Sequence, residues 1–316
     1  MKVAVLKGGS SLERGVSLRS AARVEDALEE LGHESIGIDV GRGLVDRLRS
    51  ERPDVVFIAL HGPGGEDGTV QELLEILDLP YTGPGVAACA LCMDKVASKH
   101  EIRAAGLPTP DWAAFNTTAF RALGAADTLD EIEARLGFPL VVKPASQGSS
   151  LGVEFASSRD EIPQALVAAF SYDDRVLLER YVKGRELAVS VLGADPLPIV
   201  EAIPREEDFF NFEARYEIGR TEYVCPADLP QAQARTVQEL ASRTYETLGC
   251  GGFARIDLML GADGPRVLEV NAIPGLTDTS LFPMAAEAAG IGFAELVERI
   301  LSSARERPAT EATLPA

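Results

Sequence analysis

Residues 255–271 predict a β-hairpin, because two apolar runs flank a G-A-D-G-P turn. If the hairpin is centred on Asp263, Asp257 lies opposite Glu269 and Arg255 lies opposite Asn271. Strand side chains alternate between faces, so these four polar groups would share one face. The other face would be apolar enough to pack against helices and would carry Ile256, Leu258, Leu268 and Val270.

The polar face of this hairpin has two interpretations. Two carboxylates and an amide oxygen on adjacent strands suit Mg²⁺, which typically binds one or two carboxylates together with substrate phosphates. A solvated face with an Arg–Asp pair is the simpler alternative. The segment that follows, N-A-I-P-G-L-T-D-T-S-L, favours the first interpretation, because it offers backbone N–H groups and hydroxyls to an anion.

Length and charge exclude several classes of protein. A chain of 316 residues is expected to form two or three domains. The net charge of −19 argues against non-specific binding to nucleic acid or to anionic lipid. No apolar run approaches the roughly 20 residues that span a bilayer. The first residues, M-K-V-A-V-L-K, predict a strand rather than a signal peptide, so we expect a cytoplasmic protein.

The C-x-x-C formed by Cys89 and Cys92 could indicate redox or zinc chemistry. It lies in a helical pattern, and no second C-x-x-C or nearby histidine completes a tetrahedral site. We therefore expect buried helix cysteines.

Residues 1–95 predict a doubly wound parallel sheet, with strands near 2–7, 35–40 and 55–60 and helices near 15–31 and 44–51. Ligands bind such sheets beyond the carboxyl ends of the strands. Glu13 and His61 follow two of these ends and could face one crevice. Each also has a local interpretation, as a carboxylate near a helix N-terminus and as a turn histidine.

The middle of the chain carries residues suited to a nucleotide. Lys143 lies in an apolar strand, 140–144, before a Gly/Ser loop that could cover a polyphosphate. Glu179 ends a strand and could accept from an adenine amino group, while Glu186 could bind ribose. The local pattern alone favours surface carboxylates at both positions. Lys95 and Lys99 share a helix face, for which a solvated basic face is the simplest interpretation.

We predict domains at 1–95, 96–185 and 186–305. Residues 205–228 lack clear periodicity and predict a lid loop, because long loops in compact domains are usually functional. Helices are expected at 230–248 and within 281–304, and residues 306–316 are expected to be disordered.

Seven segments follow one another in order along nearly the whole chain: G-G-S-S-L-E-R-G-V-S, H-G-P-G-G-E-D-G-T, Y-T-G-P-G-V, M-D-K-V-A-S-K, K-P-A-S-Q-G-S-S-L-G-V, G-F-A-R-I-D and L-E-V-N-A-I-P-G-L-T-D-T-S-L. This ordered set resembles the D-alanine–D-alanine ligase family of the ATP-grasp superfamily. The resemblance implies an α/β fold in which an N-terminal doubly wound parallel sheet is followed by two α/β domains that clamp ATP.

The resemblance also implies roles for single residues. ATP phosphates would be held by Lys95, Lys143 and the 146–152 backbone with Ser149 and Ser150. Adenine and ribose would be held by Glu179, Arg180, Val182 and Glu186. Two Mg²⁺ ions, with Mn²⁺ as a substitute, would be held by Asp257, Glu269 and Asn271.

For the amino acid substrates, the resemblance implies that Glu13 binds the ammonium of the first D-alanine, grouped with Ser149 and Tyr216, with His61 beside it. The developing oxyanion would be stabilised by Arg255 and the Gly275 N–H. The second substrate's carboxylate would be bound by Ser280 and the Leu281 N–H.

Three positions depart from the family's usual residues. Phe210 and Arg215 stand where tyrosine and lysine are usual, so phosphate contact from Arg215 is expected with altered geometry. Ala272–Ile273 replaces a pair that usually contains threonine. Tyr216 is kept where relatives that form depsipeptides usually differ, which favours an amine as the second substrate.

The leading hypothesis is ATP-dependent synthesis of D-alanyl-D-alanine through an acyl phosphate, for peptidoglycan precursors. A homodimer, formed through the N-terminal domain, is expected from the resemblance. One alternative is a related ligase whose second substrate is D-lactate, D-serine or another amino acid. A different class is a non-catalytic nucleotide-binding sensor. Such a protein could dispense with Glu13, Arg255, Asp257 and Glu269, and this chain keeps all four.

Overall fold

The computed structural model describes residues 1–204 and 221–305. Most of the predicted lid, with Phe210, Arg215 and Tyr216, and the predicted disordered tail at 306–316 lie outside these ranges. The end of the predicted lid lies within them: Thr221–Val224 is a strand that pairs antiparallel with Val200–Pro204. None of the helices in the described ranges is both long and apolar enough to cross a membrane.

A parallel sheet begins the chain, as predicted. Its strands are β1 (Lys2–Lys7), β2 (Glu34–Asp39) and β3 (Val55–Ile58), in the order β2-β1-β3. The helices that follow these strands are α1 (Arg14–Glu30), α2 (Leu44–Glu51) and α3 (Thr69–Ile76). Strand β1 is central because it pairs with both β2 and β3. Its residues 3–6 are fully buried, as expected for a parallel sheet whose faces are covered by helices.

Two helices lead from this sheet to the next, α4 (Val86–Met93) and α5 (Lys95–Ala104). Cys89 and Cys92 lie buried on α4, as predicted. Asp94 caps α5 by accepting from the N–H groups of the second and third helical residues, at 2.9 and 3.0 Å. The expectation of a solvated basic face is wrong, because Lys95 and Lys99 are 7% and 0% exposed.

A second, antiparallel sheet has the order β4-β7-β5-β6. Its strands are β4 (Trp112–Asn116), β5 (Leu140–Pro144), β6 (Glu154–Ala156) and β7 (Arg175–Arg180). Its helices are α6 (Thr117–Ala122), α7 (Leu129–Leu136) and α8 (Ile162–Phe170), with short 3-10 turns at Ala125–Thr128 and Arg159–Glu161. This central sheet buries its own hydrophobic cluster, separate from the main core.

The third sheet runs in the order β11-β10-β8-β12-β13, with β9 also paired to β8. Its strands are β8 (Gly184–Leu192), β9 (Asp195–Pro196), β10 (Val200–Pro204), β11 (Thr221–Val224), β12 (Phe253–Gly261) and β13 (Gly264–Asn271). Its helices are α9 (Gln231–Thr247), α10 (Leu281–Ala288) and α11 (Phe293–Arg305). Residues of this sheet and of the first sheet share one continuous hydrophobic core. The predicted division at residues 185 and 186 falls inside β8.

The β12–β13 register confirms the predicted pairs: Asp257 faces Glu269, and Arg255 faces Asn271. A β-bulge after Asp257 then shifts the register, so Leu258 pairs with Val267. The prediction that Leu268 shares the apolar core face is therefore wrong. Val267 is fully buried in its place, while Leu268 lines the cavity described below.

Candidate active site

A cavity lies between the central sheet and the third sheet. Apolar side chains from both sheets line its inner part, namely Val141, Val153, Phe155, Met259 and Leu268. Charged side chains line it as well, among them Lys143 and the pair formed by Lys95 and Glu269, whose Nζ and Oε2 atoms lie 3.4 Å apart. A cavity lined by both apolar and charged side chains has the polarity of a nucleotide site, because a flat base and a polyphosphate need opposite surroundings.

A buried charge cluster stands at one wall of this cavity. Lys143 Nζ lies 2.9 Å from Glu179 Oε1, and Lys99 forms an ion pair with Glu179 Oε2. Burial alone would raise the pKa of Glu179, but the two lysines outweigh it and hold the pKa below its ordinary value. Glu179 is only 2% exposed, so the interpretation as a surface carboxylate is wrong.

The Gly/Ser loop at 146–152 lines the same cavity through Gln147, Ser150 and Leu151. Ser149 and Ser150 have φ values of +48° and +56°, which side chains rarely adopt, and the Gln147 carbonyl accepts from Lys95 Nζ at 2.5 Å. Successive residues with this backbone can turn their N–H groups toward an anion. The geometry therefore supports the predicted phosphate loop.

The polar face of β12–β13 forms the floor between the loop and the third sheet. Arg255 donates to both oxygens of Asp257, at 2.7 and 2.8 Å, and Asn271 Nδ2 donates to the same carboxylate at 2.9 Å. Lys95 Nζ lies 3.4 Å from Glu269 Oε2. Burial would raise the pKa of Glu269, but Lys95, Lys143 and Arg255 lower it, so this carboxylate is charged.

On this face the protein supplies only some of the oxygen ligands that a hard cation needs, and a bound phosphate would have to supply the others. Asp257 and Glu269 offer carboxylate oxygens and Asn271 an amide oxygen. Within residues 1–204 and 221–305, no group of three or more His, Cys, Asp or Glu side chains could hold a metal ion. Two carboxylates with phosphate oxygens to complete the set is the usual arrangement for Mg²⁺.

A larger, more open cavity continues from the first and shares four lining residues with it: Ser150, Glu186, Asp257 and Glu269. Glu13 lies in this second cavity and accepts a short hydrogen bond from the Ser149 hydroxyl. Gly62 and Gly148 approach it closely: a Cβ on either would lie 2.6 or 2.7 Å from Glu13 Oε2. Burial and the charge of Glu66 raise the pKa of Glu13 above its ordinary value.

His61 is buried and held from both ring nitrogens. Its Nδ1 lies 3.1 Å from the Ile273 carbonyl and 3.1 Å from Glu66 Oε1, so Nδ1 carries a proton. Its Nε2 lies 3.1 Å from Ser20 Oγ, which accepts from the Leu276 N–H. The local interpretation of His61 as a turn histidine is wrong, because its partners lie up to 212 residues away.

The loop after β13 forms the far end of the second cavity. Ser280 Oγ accepts from the Thr277 N–H at 3.0 Å, and Ser280 occupies the N-cap position of α10 without a side-chain capping bond. A Cβ on Gly275 would lie 2.7 Å from Ser280 Oγ, so the small residue lets the two approach. Arg23 of α1 holds the loop by donating to the Leu276 carbonyl at 2.7 Å and pairing with Asp278 at 2.9 Å.

Every predicted site residue in the described ranges lines one of the two cavities. Arg180 lines the first cavity, but its guanidinium donates a hydrogen bond to the Arg135 carbonyl at 2.8 Å. Sequence reasoning missed Glu66, although it closes the H-G-P-G-G-E segment, and Arg23, which no motif marked. It also missed Lys99 as a partner of Glu179.

Comparisons with known proteins agree with this geometry. The sequence model described as "D-ala D-ala ligase C-terminus" matches residues 102–302, and the one described as "D-ala D-ala ligase N-terminus" matches residues 43–84. A D-alanine–D-alanine ligase of Syntrophotalea carbinolica is 45% identical over 306 residues, covering 97% of each chain.

Solved structures give the same result. The D-alanine–D-alanine ligase of Bacillus anthracis is 35% identical, with a TM-score of 0.85 over 96% of this chain and 97% of its own. Its complex with ATP aligns with a TM-score of 0.82 at 32% identity and the same coverage. The VanG D-Ala:D-Ser ligase of Enterococcus faecalis is 27% identical, with a TM-score of 0.82 over 96% and 99% of the chains.

The three sheets and the cleft between the last two are those of an ATP-grasp enzyme, as predicted. The chain belongs to the D-alanine–D-alanine ligase family.

Proposed function

We propose that this chain joins two molecules of D-alanine into D-alanyl-D-alanine at the expense of ATP, for peptidoglycan precursors. As a member of its family, the chain is an ATP-dependent ligase. The observation that carries the proposal is the junction of the two cavities at Ser150, Glu186, Asp257 and Glu269. A nucleotide's terminal phosphate and a carboxylate substrate would meet there, which is what formation of an acyl phosphate requires.

On the nucleotide side, Lys95, Lys143 and the 146–152 loop would hold the phosphates, and Glu179, Arg180, Val182 and Glu186 the adenosine. The buried lysines are suited to this, because three of them, Lys95, Lys99 and Lys143, share only two carboxylates, Glu179 and Glu269, in these ion pairs. Asp257, Glu269 and Asn271 would hold two Mg²⁺, which supply charge neutralisation to the transferred phosphoryl group when bound.

On the substrate side, Glu13 would pair with the ammonium of the first D-alanine. Ser149 holds this carboxylate in place, and His61 stands beside it, fixed by Glu66. A neutralising ammonium would favour the charged form of Glu13, whose pKa is raised in the present geometry.

The second amine would attack the acyl phosphate, and phosphate would leave from a tetrahedral intermediate. Arg255 and the Gly275 N–H would stabilise the oxyanion, while Ser280 and the Leu281 N–H would bind the second carboxylate. Removing one such donor typically costs about 3 kcal/mol of transition-state stabilisation. Arg255 is already aligned by Asp257, so its guanidinium needs little reorganisation.

The roles of Phe210, Arg215 and Tyr216 fall outside the described residues and stay predictions, as does the lid that would exclude water from the acyl phosphate. We also propose the division into three domains, a cytoplasmic location, where ATP is available, and a homodimer. Light scattering on the purified chain would test the homodimer, because a monomer mass would contradict it.

The function is tested by phosphate release with Mg–ATP, offering D-alanine, L-alanine, D-serine and D-lactate singly and in pairs, with products identified by mass. Release with D-alanine alone, giving the dipeptide, is the expected result. Release only with a mixed pair would favour the alternative ligase, which uses a different second substrate. The structurally similar Enterococcus faecalis protein is named a D-Ala:D-Ser ligase. ATP binding without release would favour the sensor.

A further inference from the structure

Lys99 is a charged residue that the proposed chemistry does not use. It is fully buried on α5, and it lies behind Glu179, apart from the side chains that line the nucleotide cavity. Lys143, in contrast, lines that cavity. One carboxylate therefore has two lysine partners, one facing the ligand and one facing the protein interior.

The pairing of Glu179 must change when a nucleotide arrives. Lys143 would turn toward the phosphates and share or lose its 2.9 Å contact with Glu179 Oε1. A carboxylate that is 2% exposed is costly to leave without a counterion. Lys99 has no such competing ligand, so it can keep Glu179 charged after Lys143 has moved.

Lys99 also connects the two sheets that enclose the cavity. Its Nζ donates to Thr109 Oγ1 at 2.5 Å, and that hydroxyl donates to the Val267 carbonyl at 2.8 Å. The Val267 N–H in turn donates to the Pro108 carbonyl at 2.9 Å. Val267 belongs to β13 of the third sheet, next to the bulge, and Glu179 belongs to β7 of the central sheet. The contacts of Lys99 therefore link these two sheets.

We infer that Lys99 is a positioning residue of the nucleotide site: it holds Glu179 from behind as an oriented, charged acceptor for the adenine amino group, and so leaves Lys143 to the phosphates. This inference rests on the proposed binding of ATP in this cleft. It predicts an effect on affinity and on base selectivity, because GTP carries a carbonyl where adenine carries the amino group.

The first test measures the Kd of Mg–ATP and of Mg–GTP by calorimetry, without any amino acid. Lys99→Met should raise the Kd of ATP at least tenfold and reduce the preference for ATP over GTP. Lys99→Arg, which keeps the charge, should recover part of both. Arg103→Met is the matched control, because Arg103 lies one turn further along α5 and stacks on Trp112 at 4.0 Å but does not contact Glu179.

A role in stability alone would lower the melting temperature of Lys99→Met and leave the Kd and the base preference of the folded protein unchanged, and that result would overturn the inference. Failure of the wild-type chain to bind ATP would instead overturn the proposed function.

A second test measures the pH dependence of the Kd of ATP and does not need the Lys99→Met variant. Burial lowers the pKa of Lys99 to about 8. The charged groups that face it are Glu179, whose pKa is lowered by the two lysines; Lys143, whose pKa is raised by Glu179 and Glu269; and Arg103. Loss of the Lys99 proton should raise the Kd of ATP above pH 8, by up to about tenfold per pH unit. Lys99→Arg should abolish this rise. A flat wild-type profile, or an equal rise in both proteins, would contradict the inference.

Discussion

Replacing Glu13 with glutamine should weaken binding of the first D-alanine and, at neutral pH, stabilise the folded protein. Glutamine keeps the size of the side chain and can still accept from Ser149, but it cannot form a charged pair with an ammonium. A hydrogen bond between charged groups is worth about 1.5–3 kcal/mol, so the KM for the first D-alanine should rise about 10- to 150-fold.

The same substitution should increase the stability of the folded protein, although it weakens substrate binding. Burial and repulsion from Glu66 raise the pKa of Glu13 in the folded protein above its value in the unfolded chain. The charged form therefore destabilises the folded state at every pH above the unfolded pKa, and this penalty disappears below it. Removing the charge should increase the free energy of unfolding at pH 7 and have little effect near pH 4.

The assay combines initial rates of phosphate release, at saturating ATP and varied D-alanine, with urea unfolding of both proteins at pH 7 and pH 4. Ser149→Ala serves as the control: it keeps the charge but removes a hydrogen bond that lowers the pKa of Glu13, so it should shift the acid limb of the pH–rate profile to higher pH. An unchanged KM, or a Glu13→Gln protein less stable than wild type at pH 7, would refute the reasoning.

Three further predictions follow from the same geometry. Arg255→Lys should lower kcat about 100- to 1,000-fold, because it removes the aligned guanidinium from the oxyanion; a kcat within threefold of wild type would contradict this role. Gly148→Ala should raise the KM for the first D-alanine, since its Cβ would lie 2.7 Å from Glu13 Oε2, whereas Gly41→Ala, with nothing within 4 Å, should not. Ile256→Ala should reduce the free energy of unfolding by about 2–5 kcal/mol in urea titrations, because Ile256 is fully buried; a loss under 1 kcal/mol would show that the core fills the cavity.

Local periodicity predicted much of the site. Alternation along β12 and β13 gave the correct pairing of Asp257 with Glu269, because strand side chains have a period of two and a short turn sets the register. The same reasoning failed one residue later, at the bulge that exchanges Val267 and Leu268. A bulge depends on what packs against the strand, here the Pro108–Thr109 segment, which binds both the N–H and the carbonyl of Val267.

Burial was harder to predict than motif position. Lys99 and Glu179 looked like surface residues in sequence, since charged side chains are seldom buried. Their burial depends on mutual neutralisation, and the partners lie 80 residues apart on a helix and a strand. Glu66 was overlooked for a related reason: its importance comes from contact with His61 and from its charge near Glu13.

The sequence by itself determined the family, the order of strands and helices in the first sheet, and which residue types would meet phosphate and substrate. These follow from local patterns and from short motifs whose order is preserved. The tertiary structure decided how the groups act together, because Glu13 and Ser149 lie 136 residues apart, and His61 and Ile273 lie 212 apart. Charge state and orientation arise from such distant contacts, since burial and neighbouring charges set each pKa only after the chain has folded.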